Sequence, residues 1–145
     1  KKLGFFGTNP EDVAIAEDLL SWMQTHKADY TNTFRLLCKG SRPMEGEHTD
    51  PAFSDWYARW EARRIQQSET IDESLKLMRT NNPVYIPRNH KVEGALSSAS
   101  EKGDLTPLHS LLDVIANPYI ERHGLETYTE PHPSDYGRYQ TFCGT

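Results

Sequence analysis

The sequence predicts an all-α fold: about six amphipathic helices in one compact domain, followed by an irregular, extended C-terminal tail. Apolar residues recur at three- and four-residue spacings through most of the chain, which is the helical period. Pro, Gly and Asn interrupt those runs at intervals of about one helix. No segment reads convincingly as a strand beyond the short stretch Val84–Ile86.

The first helix opens at Thr8-Asn9-Pro10-Glu11-Asp12, which supplies a capping residue, a first-turn proline and acids that suit the N-terminal dipole. Val13, Ala16, Leu20 and Met23 then repeat at i, i+3, i+7 and i+10, and this stripe is expected to face the core. A shorter helix follows over Thr31–Lys39, with Tyr30, Phe34 and Leu37 on one side and Gly40 as its stop. Residues 40–50 read as loop. Thr49-Asp50-Pro51 opens the third helix, whose Phe53, Trp56, Tyr57 and Trp60 share one face. Core packing is the reading there, because a base-stacking platform needs exposed aromatics interleaved with basic residues. Arg59, Arg63 and Arg64 on the same helix are interrupted by Glu61 and read as a solvated face rather than a phosphate patch.

Ile71, Leu75 and Met78 mark a fourth helix over residues 70–80, which Asn81-Asn82-Pro83 stops. Val84-Tyr85-Ile86-Pro87 is extended, and Arg88-Asn89 leads into a fifth helix bearing Val92, Ala95, Leu96 and Ala99. Gly103 ends it. Asp104 to Thr106 opens the last helix, with Leu108, Leu111, Leu112 and Ile115 in register, and Asn117-Pro118 closes it. No period persists beyond Pro118. The expected organisation is a helical domain over 1–118 and an arm over 119–145 that packs through Tyr119, Tyr128, Tyr136, Tyr139 and Phe142, together one structural unit.

Composition narrows the function classes. The chain has 145 residues, 36% of them hydrophobic, and its mean hydropathy is -0.74. Three Trp, seven Tyr and five Phe argue against disorder, which is usually poor in aromatics. A net charge of -5 argues against a nucleic-acid partner. No apolar run approaches the ~20 residues that span a bilayer, so no membrane partner is expected. Lys1–Gly7 lacks the apolar stretch of a signal peptide, and two cysteines make no secreted disulfide framework, so the expected compartment is the cytoplasm. A start at Lys1 rather than Met suggests a piece of a longer chain.

The residues define no reaction. Gly4 and Gly7 flank Phe5 and Phe6 without the Lys-Ser/Thr pair of a phosphate loop. The six His are dispersed and none has a zinc spacing, so no metal or cofactor is assigned to these residues; His109 reads as a helix-flank histidine. Two polar clusters stand out: Asp29, Tyr30, Asn32 and Arg35, then Asn82, Tyr85, Arg88 and Asn89. Capping helix ends and satisfying backbone groups is the expected work of such clusters, ahead of ligand contact. Cys38 beside Leu36 and Leu37 is expected to be a buried, inert thiol. Cys143, third from the end, can reach a partner, yet on the residues alone packing or accident is favoured over a reactive role.

Taken in order, Ala28-Asp29-Tyr30-Thr31-Asn32-Thr33-Phe34-Arg35, Asn82-Pro83-Val84-Tyr85-Ile86-Pro87-Arg88-Asn89, Gly103-Asp104 and the terminal Cys143 resemble the C-terminal region of the selenoprotein O family, in its cysteine-containing bacterial type. The resemblance implies that the intact protein is a pseudokinase-fold enzyme. It would move AMP from ATP to protein hydroxyl groups, with Mg or Mn as the divalent metal. It also implies a bacterial cytoplasmic setting and an upstream kinase-like domain that carries every catalytic residue. Cys143 would be a redox-regulatory residue, paired by a disulfide to that upstream part and released by a thioredoxin-type reductant. The alternative is a free-standing helical protein-interaction domain without catalysis.

Overall fold

The computed structural model describes residues 1–41 and 46–131. Six α-helices and no strand occur among them: α1 Asp12–His26, α2 Tyr30–Leu37, α3 Pro51–Ile65, α4 Ile71–Asn81, α5 Asn89–Lys102 and α6 Thr106–Ala116. Short 3-10 turns occupy Gly46–Thr49, inside the expected loop, and Glu126–Tyr128, inside the expected arm. The chain forms two compact units. One comprises Lys1–Val84 with Tyr119–Glu121; the other comprises Tyr85–Pro118 with the described residues from Arg122 onward.

The first unit is built around the aromatic face of α3. Phe53, Trp56, Tyr57 and Trp60 are all buried, as their spacing predicts. Burying each such side chain stabilises by about 1.5–3 kcal/mol relative to exposure. Trp56 and Trp60 stack with ring centroids 5.8 Å apart, and Trp56 donates its indole N–H to the Ile15 carbonyl at 2.7 Å. Asp50 begins α3 by accepting from the Phe53 amide, and the same carboxylate accepts from the Trp22 indole at 2.9 Å. Thr70 and Glu73 form a reciprocal capping box that starts α4.

α1 departs from expectation in two respects. Its core-facing residues are Ile15, Leu19, Trp22 and Met23, whereas Val13 is 64% and Leu20 47% exposed. Trp22 is large enough to set the helix rotation, and the smaller stripe that includes Val13 and Leu20 is left outside. The helix also begins later than its Pro10 suggests. Asn9 accepts from the Glu11 amide while Asp12 accepts from the Asn9 amide, so a side-chain-closed turn precedes the first helical residue.

In the second unit α5 packs against α6, with Ala95, Leu111 and Val114 buried. Leu96 and Leu112, which the spacing places toward the core, are 48% and 50% exposed. Tyr85 closes this unit on itself. Its amide donates to the Pro118 carbonyl, and its hydroxyl both accepts from the Arg122 amide at 2.9 Å and donates to the Arg122 carbonyl at 3.2 Å. Tyr119 is exposed rather than packed, while Tyr128 is half-buried beneath the Lys91 ammonium. Tyr136, Tyr139 and Phe142 lie outside the described residues.

Candidate functional site

The densest polar constellation surrounds the N-terminal strap, Lys2–Phe6, a stretch with no regular secondary structure whose Leu3, Gly4 and Phe5 are buried. Buried carbonyls outside helices and sheets must find other donors. Here side chains of α3, α4 and the turns that follow them provide those donors. Asn82 donates to the Lys2 carbonyl at 2.8 Å, and Trp60 donates its indole N–H to the Leu3 carbonyl at 2.9 Å. Gln67 and Ser74 both donate to the Gly4 carbonyl, at 3.1 and 2.8 Å. Arg63 reaches the Phe6 carbonyl at 3.4 Å, and Gln67 accepts from the Phe6 amide at 3.1 Å.

Two arginines sit inside this constellation, which corrects the expected solvated face of α3: Arg63 and Arg64 are buried, and only Arg59 is exposed. Arg63 pairs with Asp12 at 2.7 Å, and its guanidinium lies 4.9 Å from the Phe5 ring centroid. Arg64 donates to Ser74 at 2.9 Å and lies 4.3 Å from the Trp60 ring centroid. Burial pushes the Arg64 pKa below its ordinary value. The signal for this was present in the sequence. Trp60, Arg63, Arg64 and Gln67 continue the i, i+3, i+4, i+7 stripe of the aromatics, so their polar groups enter the core at its end. Reading arginine as a surface residue hid it.

The structure brings part of the two sequence-defined polar clusters together. Asp29 caps α2 by accepting from the Asn32 amide at 2.8 Å. Arg35 donates to the Asn82 carbonyl at 3.2 Å and pairs with Glu121 at 3.3 Å. Asn82, fully buried, also receives the Lys2 ammonium at 3.3 Å and directs its amide to the Cys38 sulfur at 3.6 Å. Tyr30 is half exposed, against the Phe34 ring. Tyr85, Arg88 and Asn89 belong to the second unit: Tyr85 makes the closure onto Arg122, Arg88 is buried at the start of α5, and Asn89 is exposed.

Cys38 is buried and free, as its sequence context predicts. Burial pushes its thiol pKa up, against the Asn82 hydrogen bond and the charges of Arg35, Arg79 and Lys2, which lower it. A protonated thiol is a poor nucleophile. Cys143 lies outside the described residues. Among the described residues, no group of three His, Cys, Asp or Glu is placed to hold a metal. No helix among them is long and apolar enough to cross a membrane.

In this constellation the polar side chains serve the chain's own backbone: they position a strap and cap helices. A family model described as protein adenylyltransferase SelO matches residues 1–116. A protein nucleotidyltransferase YdiU of Alcanivorax borkumensis is 46% identical over 145 residues, all of this chain and 30% of that relative. Its namesake in Syntrophotalea carbinolica is 43% identical over 144 residues, 99% of this chain and 29% of the relative. The one in Bacillus mycoides is 43% identical over 145 residues, again 30% of the relative. The chain belongs to the SelO protein adenylyltransferase family, and it spans about 30% of the length of these curated relatives.

Proposed function

We propose that these residues are a structural and redox-regulatory module of a protein adenylyltransferase whose catalytic site lies elsewhere in a longer polypeptide. The observation that carries this reading is the similarity to proteins named nucleotidyltransferases, which runs the full length of this chain yet covers about 30% of theirs. The engaged state of the polar groups supports it: Asn82, Arg63, Gln67 and Ser74 are taken up by the strap.

In the family-length protein, a kinase-like domain binds ATP with Mg or Mn. A substrate protein's hydroxyl attacks the α-phosphate, forming a phosphodiester to AMP and releasing pyrophosphate. A two-electron oxidant such as a peroxide takes two electrons and two protons from Cys143 and a cysteine of that domain to form a disulfide, and a thioredoxin-type dithiol reduces it again, becoming a disulfide itself. A bridge closing a long loop shifts stability by ~2–4 kcal/mol, enough to bias an open–closed equilibrium. The setting is the bacterial cytoplasm.

The test uses ATP labelled at the α-phosphate. The family-length protein should transfer label to protein, and the 145-residue chain alone should neither transfer label nor bind ATP by calorimetry. Nucleotide affinity in the chain alone overturns the reading. A non-reducing peptide map, with and without thioredoxin, should find Cys143 cross-linked and reducible; a free Cys143 under oxidising conditions removes the redox part.

A further inference from the structure

α1 is apolar on two sides. Ile15, Leu19, Trp22 and Met23 face the core, Ala16 packs against its edge, and Val13 and Leu20 continue the apolar face beyond it into exposure. A helix with that distribution has more apolar face than one core covers. The outer stripe borders a cleft of ≈ 340 Å³ that Ala16, Leu20, Tyr30, Phe34 and Lys2 help to line. Leu20 and Tyr30, each 47% exposed, share the cleft lining, and Val13 is 64% exposed on the same helix as Leu20, so the exposed apolar surface involves two helices rather than a lone side chain.

The charged groups of the cleft are largely engaged from within. The Lys2 ammonium donates to Asn81 and Asn82 and lies 5.7 and 5.5 Å from the Tyr30 and Phe34 ring centroids. Asp12, also in the lining, is taken up by Arg63 and the Asn9 amide. An occupant therefore meets apolar and aromatic surface, with Lys1 at the rim. The relatives are long enough to supply that occupant: the chain covers 30% of each, so they carry more than twice as much polypeptide outside the matched region as within it.

We infer that the Val13–Ala16–Leu20 face of α1 and its cleft are the seat of an apolar segment of the same family-length polypeptide, from outside residues 1–145. This rests on the longer-protein reading above and adds the contact surface to it. The test is thiol accessibility, read peptide by peptide under reducing conditions without nucleotide. Val13→Cys and Leu20→Cys are compared with Ser21→Cys, an exposed position on the polar side of α1.

In the 145-residue chain all three should label at similar rates. In the family-length protein the Val13→Cys and Leu20→Cys positions should label at least about tenfold more slowly than Ser21→Cys, because a covered side chain reacts only through opening. Equal rates in the family-length protein overturn the inference. Concentration-dependent protection already present in the 145-residue chain also overturns it, assigning the face to a second copy. Neither result depends on AMP transfer, so the docking surface and the enzymatic reading fail separately.

Discussion

Arg64 packs its stem and guanidinium against Trp60, and its Nη2 has no hydrogen-bond partner among the described residues. A buried charge with one nitrogen left unpartnered is costly, and replacing such a charge with an apolar chain of similar volume is often neutral or stabilising. Arg64→Met should therefore leave urea stability within about 1 kcal/mol of the parent. Arg64→Ala should cost about 2–4 kcal/mol, since it opens a cavity beside Trp60. Equal large losses in both variants would show that the charge itself holds the fold. Cys38 offers a pH test. Its pKa is raised by burial, so between the ordinary thiol value and the folded value the unfolded chain gives up a proton that the folded chain keeps. That contribution is fully present below the ordinary value, near ~8.5, and is lost as pH rises through the folded value. Stability measured from neutral to alkaline pH should fall less steeply in Cys38→Val than in the parent.

The strap, Lys2–Phe6, is held most tightly at Gly4. Its φ of 75° lies in the left-handed region, and an added Cβ would collide with the Ser74 hydroxyl and stand 3.0 Å from Met78. Gly103, the C-cap of α5, has a similar φ of 66° but open space around it. Gly103→Ala should therefore cost about 1 kcal/mol, the conformational penalty alone. Gly4→Ala adds the clash and the strained Ser74 bond and should cost about 3 kcal/mol or more. Urea titration of the two variants checks the contrast. Helix existence and order were legible in the sequence because period, caps and breakers agree for α3 and α4. Helix rotation was not. The α1 stripe Val13–Leu20 and the core face led by Trp22 are both apolar, and only tertiary fit chooses between them. The strap was illegible for another reason: Lys1–Gly7 has no period, and its partners are side chains about sixty to eighty residues away.

Across the whole molecule, the motifs that the sequence offered as site residues divide between the two units. Arg35 and Asn82 meet within the first, where Asp29 caps α2, while Tyr85, Arg88 and Asn89 belong to the second. Their shared resemblance to one family did not require a shared site, because capping and loop closure leave the same kind of polar signature as ligand binding. The family itself was legible from those motifs in order, and similarity over the full chain bears that out.

The side-chain grip on Lys2–Phe6 also determines where sequence information resides. Trp60, Arg63, Gln67, Ser74 and Asn82 all bond to backbone atoms of the strap; Asn82 also accepts from the Lys2 ammonium, and Arg63 also lies against the Phe5 ring. The instructions for placing the first residues are therefore written in α3, α4 and the turns that follow them. Phe6 can drift in identity without disturbing those bonds, provided Gly4 stays glycine, apolar bulk remains at Leu3 and Phe5, and Lys2 keeps its ammonium for Asn81 and Asn82. The five holders cannot, since each presents a specific donor at a specific height. Across the family, variation in the held segment should gather at Phe6, and constancy at Gly4 and in the five holders.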